Sequence, residues 1–236
     1  MSTSSMFSNP GVARLAERQM RNWEMAREQR RGAESSSRPG VEDFVCVSRQ
    51  VGADGGDISR GLAERLGWPM FDREILDAMA GSDAVRRQVY ESMDERDMTW
   101  WEEALRSLMQ SEFVRNDYFK RLSETLLSLA RQGRCVFLGR GADLLLPAEL
   151  GFRVRLVAPA SVRAEHLAES HQLTIREAEQ AIERVENDRR RFFLRHFGIE
   201  MDDPVRFDIT VNLARFSTAA AVRTILKARS SRQDDS

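Results

Sequence analysis

Three closely spaced glycines mark the first candidate binding site in the sequence. Gly52, Gly55 and Gly56 lie in QVGADGG (50–56), here termed the glycine-rich loop, between an apolar run and a helix-periodic one. Glycines let backbone N–H groups point into one concavity, and the following helix places the positive end of its dipole there. The pattern therefore indicates phosphate binding, although the lysine of G-x-x-x-x-G-K-[ST] is absent. A plain strand-to-helix turn is the alternative interpretation.

Two carboxylates accompany the glycine-rich loop. Asp54 lies within it and Asp57 directly follows it. A carboxylate beside phosphates is repulsive unless a divalent ion lies between them, so Asp57 is either a metal ligand or the N-cap of the next helix. The pattern gives no physical account of the additional charge at Asp54.

Single arginines stand where two predicted strands end. Arg49 closes the apolar run DFVCVSR, and Arg140 follows RCVFL between Gly139 and Gly141. Ligands of open α/β sheets bind at the carboxyl ends of the strands, and arginine suits bidentate contact with phosphate. We therefore expect both side chains to contact phosphate. For Arg49, a surface arginine at a strand end is the alternative.

Arginines also recur in residues 184–195, here termed the arginine-rich segment. On a helix over 175–196, turning about 100° per residue, one arc carries charged residues and the other carries apolar ones. The charged arc holds Arg184, Asp188, Arg191 and Arg195, and the apolar arc holds Ala178, Ile182, Val185, Phe192 and Phe193. Arg189 falls on the apolar side, so we expect it to be desolvated against an anion, either a phosphate or a core carboxylate. A helix that breaks before Arg189 is the alternative. A solvated charged face is the alternative for the whole segment.

Composition limits the partners of the protein. The formal net charge is −1, so there is no general argument for binding nucleic acid. No apolar stretch approaches the roughly 18 residues of a membrane helix. The N-terminal residues do not have the apolar core of a secretory signal, and the expected compartment is the cytoplasm.

The elements that must position these residues alternate along the chain. Strands are predicted at 43–49, 68–72, 134–141, 152–159 and 207–213. Helices are predicted over 58–66 and 74–132, from Ser161, from a capping box at Thr174–Glu177 and from a cap at Ser217. This alternation calls for a parallel sheet covered by helices on both faces. Cys46 and Cys135 lie in strand runs and are expected to be buried thiols.

The first forty residues differ from the rest of the chain. Residues 1–9 are Ser-rich, 10–31 have the periodicity of an amphipathic helix, and 32–40 have the composition of a flexible linker. We predict an appendage over 1–40, a nucleotide-binding domain over 41–230 and a disordered tail over 231–236. The helix at 10–31 is expected to dock on its own domain, on a second copy of the chain or on a partner.

Four blocks of the sequence resemble the cytidylate kinase-like family, a divergent branch of the nucleoside monophosphate kinases within the P-loop kinase superfamily. SRQVGADGGDISRGLAERLGWPMFDREIL is similar to its opening S-R-[EQ]-x-G-x-x-G block, which lacks the loop lysine. FLGRGADLLL, FRVRLVAPASVR and ERVENDRRRFFLRHFGIEMDDPVRFDITVNLARFS follow in the family's order. The resemblance covers about residues 43–226. It implies a three-layer α/β fold and Mg²⁺-dependent transfer of phosphoryl from ATP to a nucleoside monophosphate, with CMP or dCMP as the best guess.

The resemblance also implies a role for each matching residue. Arg49 would replace the missing lysine, and Arg189 and Arg191 would be catalytic arginines of a lid formed by the arginine-rich segment. Asp57 would be the residue nearest the metal. The residues implied to bind nucleotide or phosphate are Ser48, Gly52, Ala53, Asp54, Gly55, Gly56, Asp57, Asp72, Gly139, Arg140, Gly141, Arg184 and Arg195.

The sequence departs from the family pattern at Leu138, where ordinary cytidylate kinases carry an acid that supports the magnesium site. Together with the missing lysine, this keeps a second reading open: a regulatory or scaffold module that binds nucleotide without turnover. A third reading is an adapter that acts through the N-terminal helix and its Trp23 stripe. For Asp72, a cap on the following helix is the alternative to a place beside the acceptor.

Overall fold

The computed structural model describes residues 43–81, 117–132, 134–139, 141–147 and 150–234. The appendage predicted at 1–40 and the middle of the helical prediction over 74–132 lie outside these residues, as does Arg140. The docking of the N-terminal helix therefore stays a prediction.

Five strands and seven helices form the described part of the chain. The strands are β1 (Phe44–Arg49), β2 (Met70–Phe71), β3 (Cys135–Leu138), β4 (Phe152–Val157) and β5 (Ile209–Asn212). The helices are α1 (Gly56–Leu66), α2 (Arg73–Gly81), α3 (Asp117–Gln132), α4 (Ala142–Leu145), α5 (Ala160–His171), α6 (Ile175–Phe197) and α7 (Thr218–Asp234). A 3₁₀ turn at Pro204–Arg206 precedes β5. No helix of this part is long and apolar enough to cross a membrane.

The strands form one sheet in the order β2-β3-β1-β4-β5. β2 pairs with β3 in parallel, and β4 pairs in parallel with both β1 and β5. Ser48 of β1 lies opposite Arg155 of β4, and Val154 lies opposite Ile209 of β5. The predicted α/β fold with a parallel sheet is confirmed.

The chain divides into two compact units. The first unit contains Phe44 and the described residues of 68–151, and its core stacks Phe71 on Phe137 with ring centroids 5.9 Å apart. Cys135 is buried there, as Cys46 is in the second unit, and both are free thiols as expected. Apolar residues of α2 and α3 complete the first core, among them Leu76, Met79, Leu122, Leu126 and Leu129.

The second unit contains residues 45–67 and 152–234. Helices α5 and α6 pack through a small apolar cluster of Ala164, Ala168, Ala178 and Ile182, which Val51 and Leu167 join from its edge. Helix α1 packs on α7 so closely that a Cβ at Gly61 would lie 3.0 Å from Val222 Cγ2. The second unit therefore holds the glycine-rich loop, the helix that follows it and the arginine-rich segment.

The predicted helix ends are confirmed at three places. Helix α1 stops at Gly67, whose φ of 65° is left-handed. Helix α6 begins with the predicted capping box, in which Thr174 Oγ1 accepts a hydrogen bond from Glu177 N at 3.3 Å and Glu177 Oε2 accepts one from Thr174 N at 2.8 Å. Helix α7 begins after Ser217, whose Oγ accepts a hydrogen bond from Ala220 N at 3.3 Å.

Candidate nucleotide-binding site

The start of the glycine-rich loop is tied to the end of β4. Gln50 N donates to Leu156 O at 3.1 Å, and Gln50 Oε1 accepts from Ala158 N at 3.1 Å. The loop then turns back, since Ala53 N donates to Gln50 O at 3.2 Å. These contacts leave the loop little freedom at its first residues.

Gly52 is required by both conformation and space. Its φ is 79°, in the left-handed region, and a Cβ there would lie 2.4 Å from Arg163 O of α5. Real Cβ atoms do not come so close to a backbone oxygen, so a side chain here would displace the loop or the helix. The prediction that glycine shapes this turn is confirmed at this position.

Arg49 lies against the end of the same loop that leads into α1. A Cβ built on Gly55 would lie 2.8 Å from Arg49 Cδ and 3.1 Å from Leu156 Cδ1. The half-buried Arg49 side chain therefore runs alongside the last glycines of the loop. This is the region in which the missing lysine would stand.

Neither of the two carboxylates at the glycine-rich loop is the N-cap residue of α1. Helix α1 begins at Gly56 with Gly55 as its N-cap, so Asp57 lies inside the first turn and its predicted role as N-cap is wrong. Asp54 makes the capping contact instead, because its Oδ1 accepts a hydrogen bond from Gly56 N at 3.1 Å. Asp57 is exposed and forms an ion pair with Arg60 at 2.5 Å.

These residues fit a chain of phosphates with one divalent ion. The first N–H groups of a helix have no partner within it and attract anions, and beside Gly56 only Asp54 Oδ1 lies within 4 Å of the place of a Cβ. Mg²⁺ is usually bound by one or two carboxylates together with substrate phosphates. The described residues contain no group of three His, Cys, Asp or Glu side chains able to hold a metal by themselves. Asp57 would thus bind a metal only together with phosphate oxygens.

Ser48 is held by a residue that the sequence reasoning missed. Its Oγ accepts a hydrogen bond from Arg155 Nη1 at 2.7 Å, and Arg155 also pairs with Asp202. Arg155 is 5% exposed and lies over the ring of Phe207, with its Cζ 5.7 Å from the centroid. The available signal was the alternation of arginine with apolar residues in FRVRLV, which is unusual for a central strand.

The arginine-rich segment is only partly as predicted. Ala178 and Ile182 are buried on the apolar arc, and Arg191 on the charged arc pairs with Asp188 at 2.7 Å. Arg189, however, is exposed, so the expectation that it is desolvated is wrong. The helical wheel assumed that the apolar arc is covered along its whole length, whereas Phe192 and Phe193 toward the end of α6 are only half-buried.

Other members of the segment have distinct surroundings. Arg184 is exposed, and Arg195 lies on α6. Phe192, Phe193 and Phe197 pack on one another with centroids 5.9–6.2 Å apart and form an aromatic group at this end of the helix. Glu186 is buried, a feature that the wheel did not indicate.

Asp72, Gly139 and Gly141 are predicted site residues that belong to the first unit. Asp72 caps α2, because its Oδ1 accepts a hydrogen bond from Ile75 N at 3.0 Å. Gly139 and Gly141 have φ values of 75° and 69°, and Gly141 is the N-cap of α4. Leu138 is buried at the end of β3. Both glycines that flank Arg140 are therefore left-handed, and the contact of Arg140 itself stays a prediction.

A strand that passes through a glycine-rich loop into a helix N-terminus, within a parallel α/β sheet, is an architecture of nucleotide-binding proteins. Residues 44–215 match the cytidylate kinase-like family. The chain belongs to that family.

Individual relatives are more distant. A cytidylate kinase from Halorubrum lacusprofundi is 28% identical over 176 residues, which cover 73% of this chain and 82% of that protein. The crystal structure of an uncharacterized protein from Eubacterium ventriosum has a TM-score of 0.64 at 16% identity, covering 80% of this chain and 99% of that one. A gluconokinase from Sinorhizobium meliloti 1021 has a TM-score of 0.46 at 16% identity, with coverage of 84% and 97%. The similarity to the Eubacterium ventriosum structure supports the fold.

Proposed function

We propose that the protein transfers the γ-phosphoryl group of ATP to a nucleoside monophosphate, with CMP or dCMP as the acceptor. The observation that carries this proposal is the glycine-rich loop, which joins β1 to the N-terminus of α1 with Gly52 in a left-handed conformation and the Arg49 side chain alongside Gly55. Family membership and the relative named cytidylate kinase support the choice of reaction and acceptor.

On the donor side, the loop N–H groups and the first turn of α1 would bind the ATP phosphates. Ser48, fixed by Arg155, borders this loop, and Arg49 supplies the positive charge of the missing lysine. Phosphoryl transfer needs cations on the migrating group and substrates held in line. Mg²⁺, held by ATP phosphates and Asp57, would neutralise part of their negative charge.

On the acceptor side, the assignment follows the family's motifs. Arg140, between Gly139 and Gly141, would contact the monophosphate, and Asp72 would border the acceptor nucleotide in addition to capping α2. In the arginine-rich segment, Arg189 and Arg191 are proposed as catalytic arginines that act on the migrating phosphoryl. Arg184 and Arg195 are proposed as further phosphate contacts that close with them and exclude water.

A second candidate function is nucleotide binding without turnover. Two features favour it: the loop has no lysine, and the buried side chain of Leu138 stands where an acid is expected to support the metal. In that case the same loop would bind ATP as a regulatory ligand.

Incubation of the purified protein with Mg-ATP and each of CMP, dCMP, UMP, AMP and GMP separates the two functions. Diphosphate formation from a pyrimidine monophosphate supports the kinase. ATP binding without turnover of any acceptor supports the regulatory module, and absence of ATP binding contradicts both.

Arg140→Ala tests the acceptor assignment in the same assay. Loss of a charge-assisted phosphate contact of about 1.5–3 kcal/mol should weaken acceptor binding by roughly 10- to 150-fold and leave ATP binding unchanged. An unchanged acceptor KM and kcat would show that Arg140 does not contact the acceptor phosphate.

A further inference from the structure

Arg163 of α5 is a buried arginine whose described contacts lead to the glycine-rich loop, β4 and α6. It is 8% exposed. Its Nη1 donates to Val51 O at 3.1 Å and to Glu186 Oε1 at 2.6 Å, and its Nε donates to Ala158 O at 3.1 Å. A single guanidinium therefore joins the loop backbone to the arginine-rich segment.

The loop also rests directly on the helix that carries Arg163. The backbone oxygen of Arg163 occupies the space that a side chain at Gly52 would need. The Val51 side chain packs against the apolar cluster between α5 and α6. Val51 and Gly52 of the loop are thus fixed to helices α5 and α6 by a hydrogen bond, by a close backbone approach and by apolar packing.

Glu186 connects this arrangement to exposed arginines. It is 5% exposed, and its second oxygen, Oε2, lies 3.6 Å from Arg190 Nη2. Arg190 in turn has its Nε 3.9 Å from Asp202 Oδ2. Since Glu186 lies two residues after Arg184 and three before Arg189, any displacement of this part of α6 moves the carboxylate that Arg163 holds.

We propose that Arg163 and Glu186 are positioning residues that couple the glycine-rich loop to the arginine-rich segment. Arg163 fixes the Val51 carbonyl, and Glu186 makes that contact depend on the position of α6. When α6 shifts, a buried guanidinium loses its charged partner, which is costly in the protein interior and loosens its hold on the loop. Because coupling between sites is reciprocal, ATP on the loop favours the α6 position in which Glu186 meets Arg163. This last step rests on the proposed function, in which the loop is the ATP site.

The variant Glu186→Gln tests the coupling, because glutamine keeps an oxygen at this position and removes the charge. Hydrogen exchange of the peptide over 50–57 is measured in the nucleotide-free protein, and the Kd for Mg-ATP is measured by calorimetry. We expect loop exchange to rise about tenfold and ATP affinity to fall about tenfold, with Arg163→Met giving the same pattern. In the double variant, loop exchange should be no faster and ATP affinity no weaker than in Arg163→Met alone, since both changes break the same contact.

Two further variants keep the test decisive. Arg232→Met removes an ion pair with Asp208, 3.0 Å long, elsewhere in the second unit, and controls for a general loss of stability. Glu186→Asp keeps the charge but shortens the side chain. It should give an intermediate rise in loop exchange, and it decides the question if Glu186→Gln does not fold.

The outcomes separate the coupling from the proposed function. Loop exchange that is unchanged, or that changes only as much as in Arg232→Met, overturns the coupling and leaves Arg163–Glu186 as a structural ion pair. Faster loop exchange in a protein that binds no ATP supports the coupling and contradicts the proposed function. Faster exchange with weaker ATP binding supports the coupling and the assignment of the loop as the ATP site.

Discussion

The glycine-rich loop and the arginine-rich segment are both expected to meet phosphate, yet different contacts hold them. The loop is fixed by its backbone, with Gly52 pressed on Arg163 O and Asp54 accepting a hydrogen bond from Gly56 N. The segment presents exposed side chains, such as the pair Arg191–Asp188, on a helix whose outer half is only partly covered. To bind an anion, the loop would therefore need little rearrangement of its backbone, whereas the exposed arginine side chains of the segment would still have to be positioned.

Arg189→Ala is expected to give the largest effect on the segment. Its exposed side chain should contribute no more than about 0.5 kcal/mol to stability. Loss of an arginine that stabilises the migrating phosphoryl should reduce kcat by about 10²–10⁴-fold. Arg184→Ala and Arg195→Ala should reduce kcat by less than Arg189→Ala does. Measurement of kcat and Tm for the three variants checks this, and a loss of stability without a selective loss of rate would contradict it.

Gly52→Ala and Gly67→Ala test the loop by separating backbone strain from steric contact. The φ values are 79° and 65°, so alanine should cost about 1–2 kcal/mol at either position. Only at Gly52 would the Cβ meet a neighbour, since nothing lies within 4 Å at Gly67. We expect Gly52→Ala alone to weaken ATP binding as well, by about tenfold or more. Equal ATP affinities in the two variants would show that the close approach does not set the loop.

Asp54→Asn should improve the loop as an anion site. Asparagine can still accept the hydrogen bond from Gly56 N, and the exposed negative charge is removed. Exposed charge pairs contribute about 0.2–1 kcal/mol, so ATP affinity should rise roughly two- to fivefold at low ionic strength and less in salt. Calorimetric titrations at low and high salt measure this. Affinity that is unchanged at low salt would place the phosphates away from Asp54.

Thr174→Ala gives the smallest expected effect, at the N-terminus of the segment's helix. Loss of the cap should lower Tm by about 2–4 °C. The hydrogen bond from the Thr174 side chain, and then that from its backbone N–H, hold the pKa of Glu177 below its ordinary value. A depressed carboxyl pKa stabilises the fold above the unfolded pKa, and this contribution is lost as pH falls through the folded pKa. As the pH is lowered from neutral to acidic, Tm should fall less in Thr174→Ala than in the unmodified protein. An equal fall in both proteins would contradict this assignment.

Features that depend on neighbouring positions along the chain were predictable from the sequence. Apolar runs located β1 and β4 within two residues, and short capping patterns located the starts of α6 and α7. Glycines marked the turn at Gly52 and the end of α1. Each of these signals is local, because dihedral preferences and helix caps act over only a few residues.

Partners that are distant along the chain were not predictable. Arg155 meets Ser48 across 107 positions, and Arg163 meets Glu186 across 23. Periodicity tells which arc of a helix is apolar, but it does not tell where another element covers that arc, so Arg189 was expected to be buried. The cap at Asp57 was misplaced for a related reason: two aspartates near one helix start are equivalent in sequence, and the loop conformation chooses between them.

Arg206 shows how the far end of α6 is attached. Its Cζ lies 5.4 Å from the ring centroid of Phe193 on α6 and 5.2 Å from that of Phe207, and its Nη1 donates to Met201 O at 3.0 Å. One cation thus clamps an outgoing helix to the chain that returns from it. Because Asp202 and Phe207 of that returning chain also contact Arg155 of β4, the clamp passes the hold of the sheet on to the end of α6.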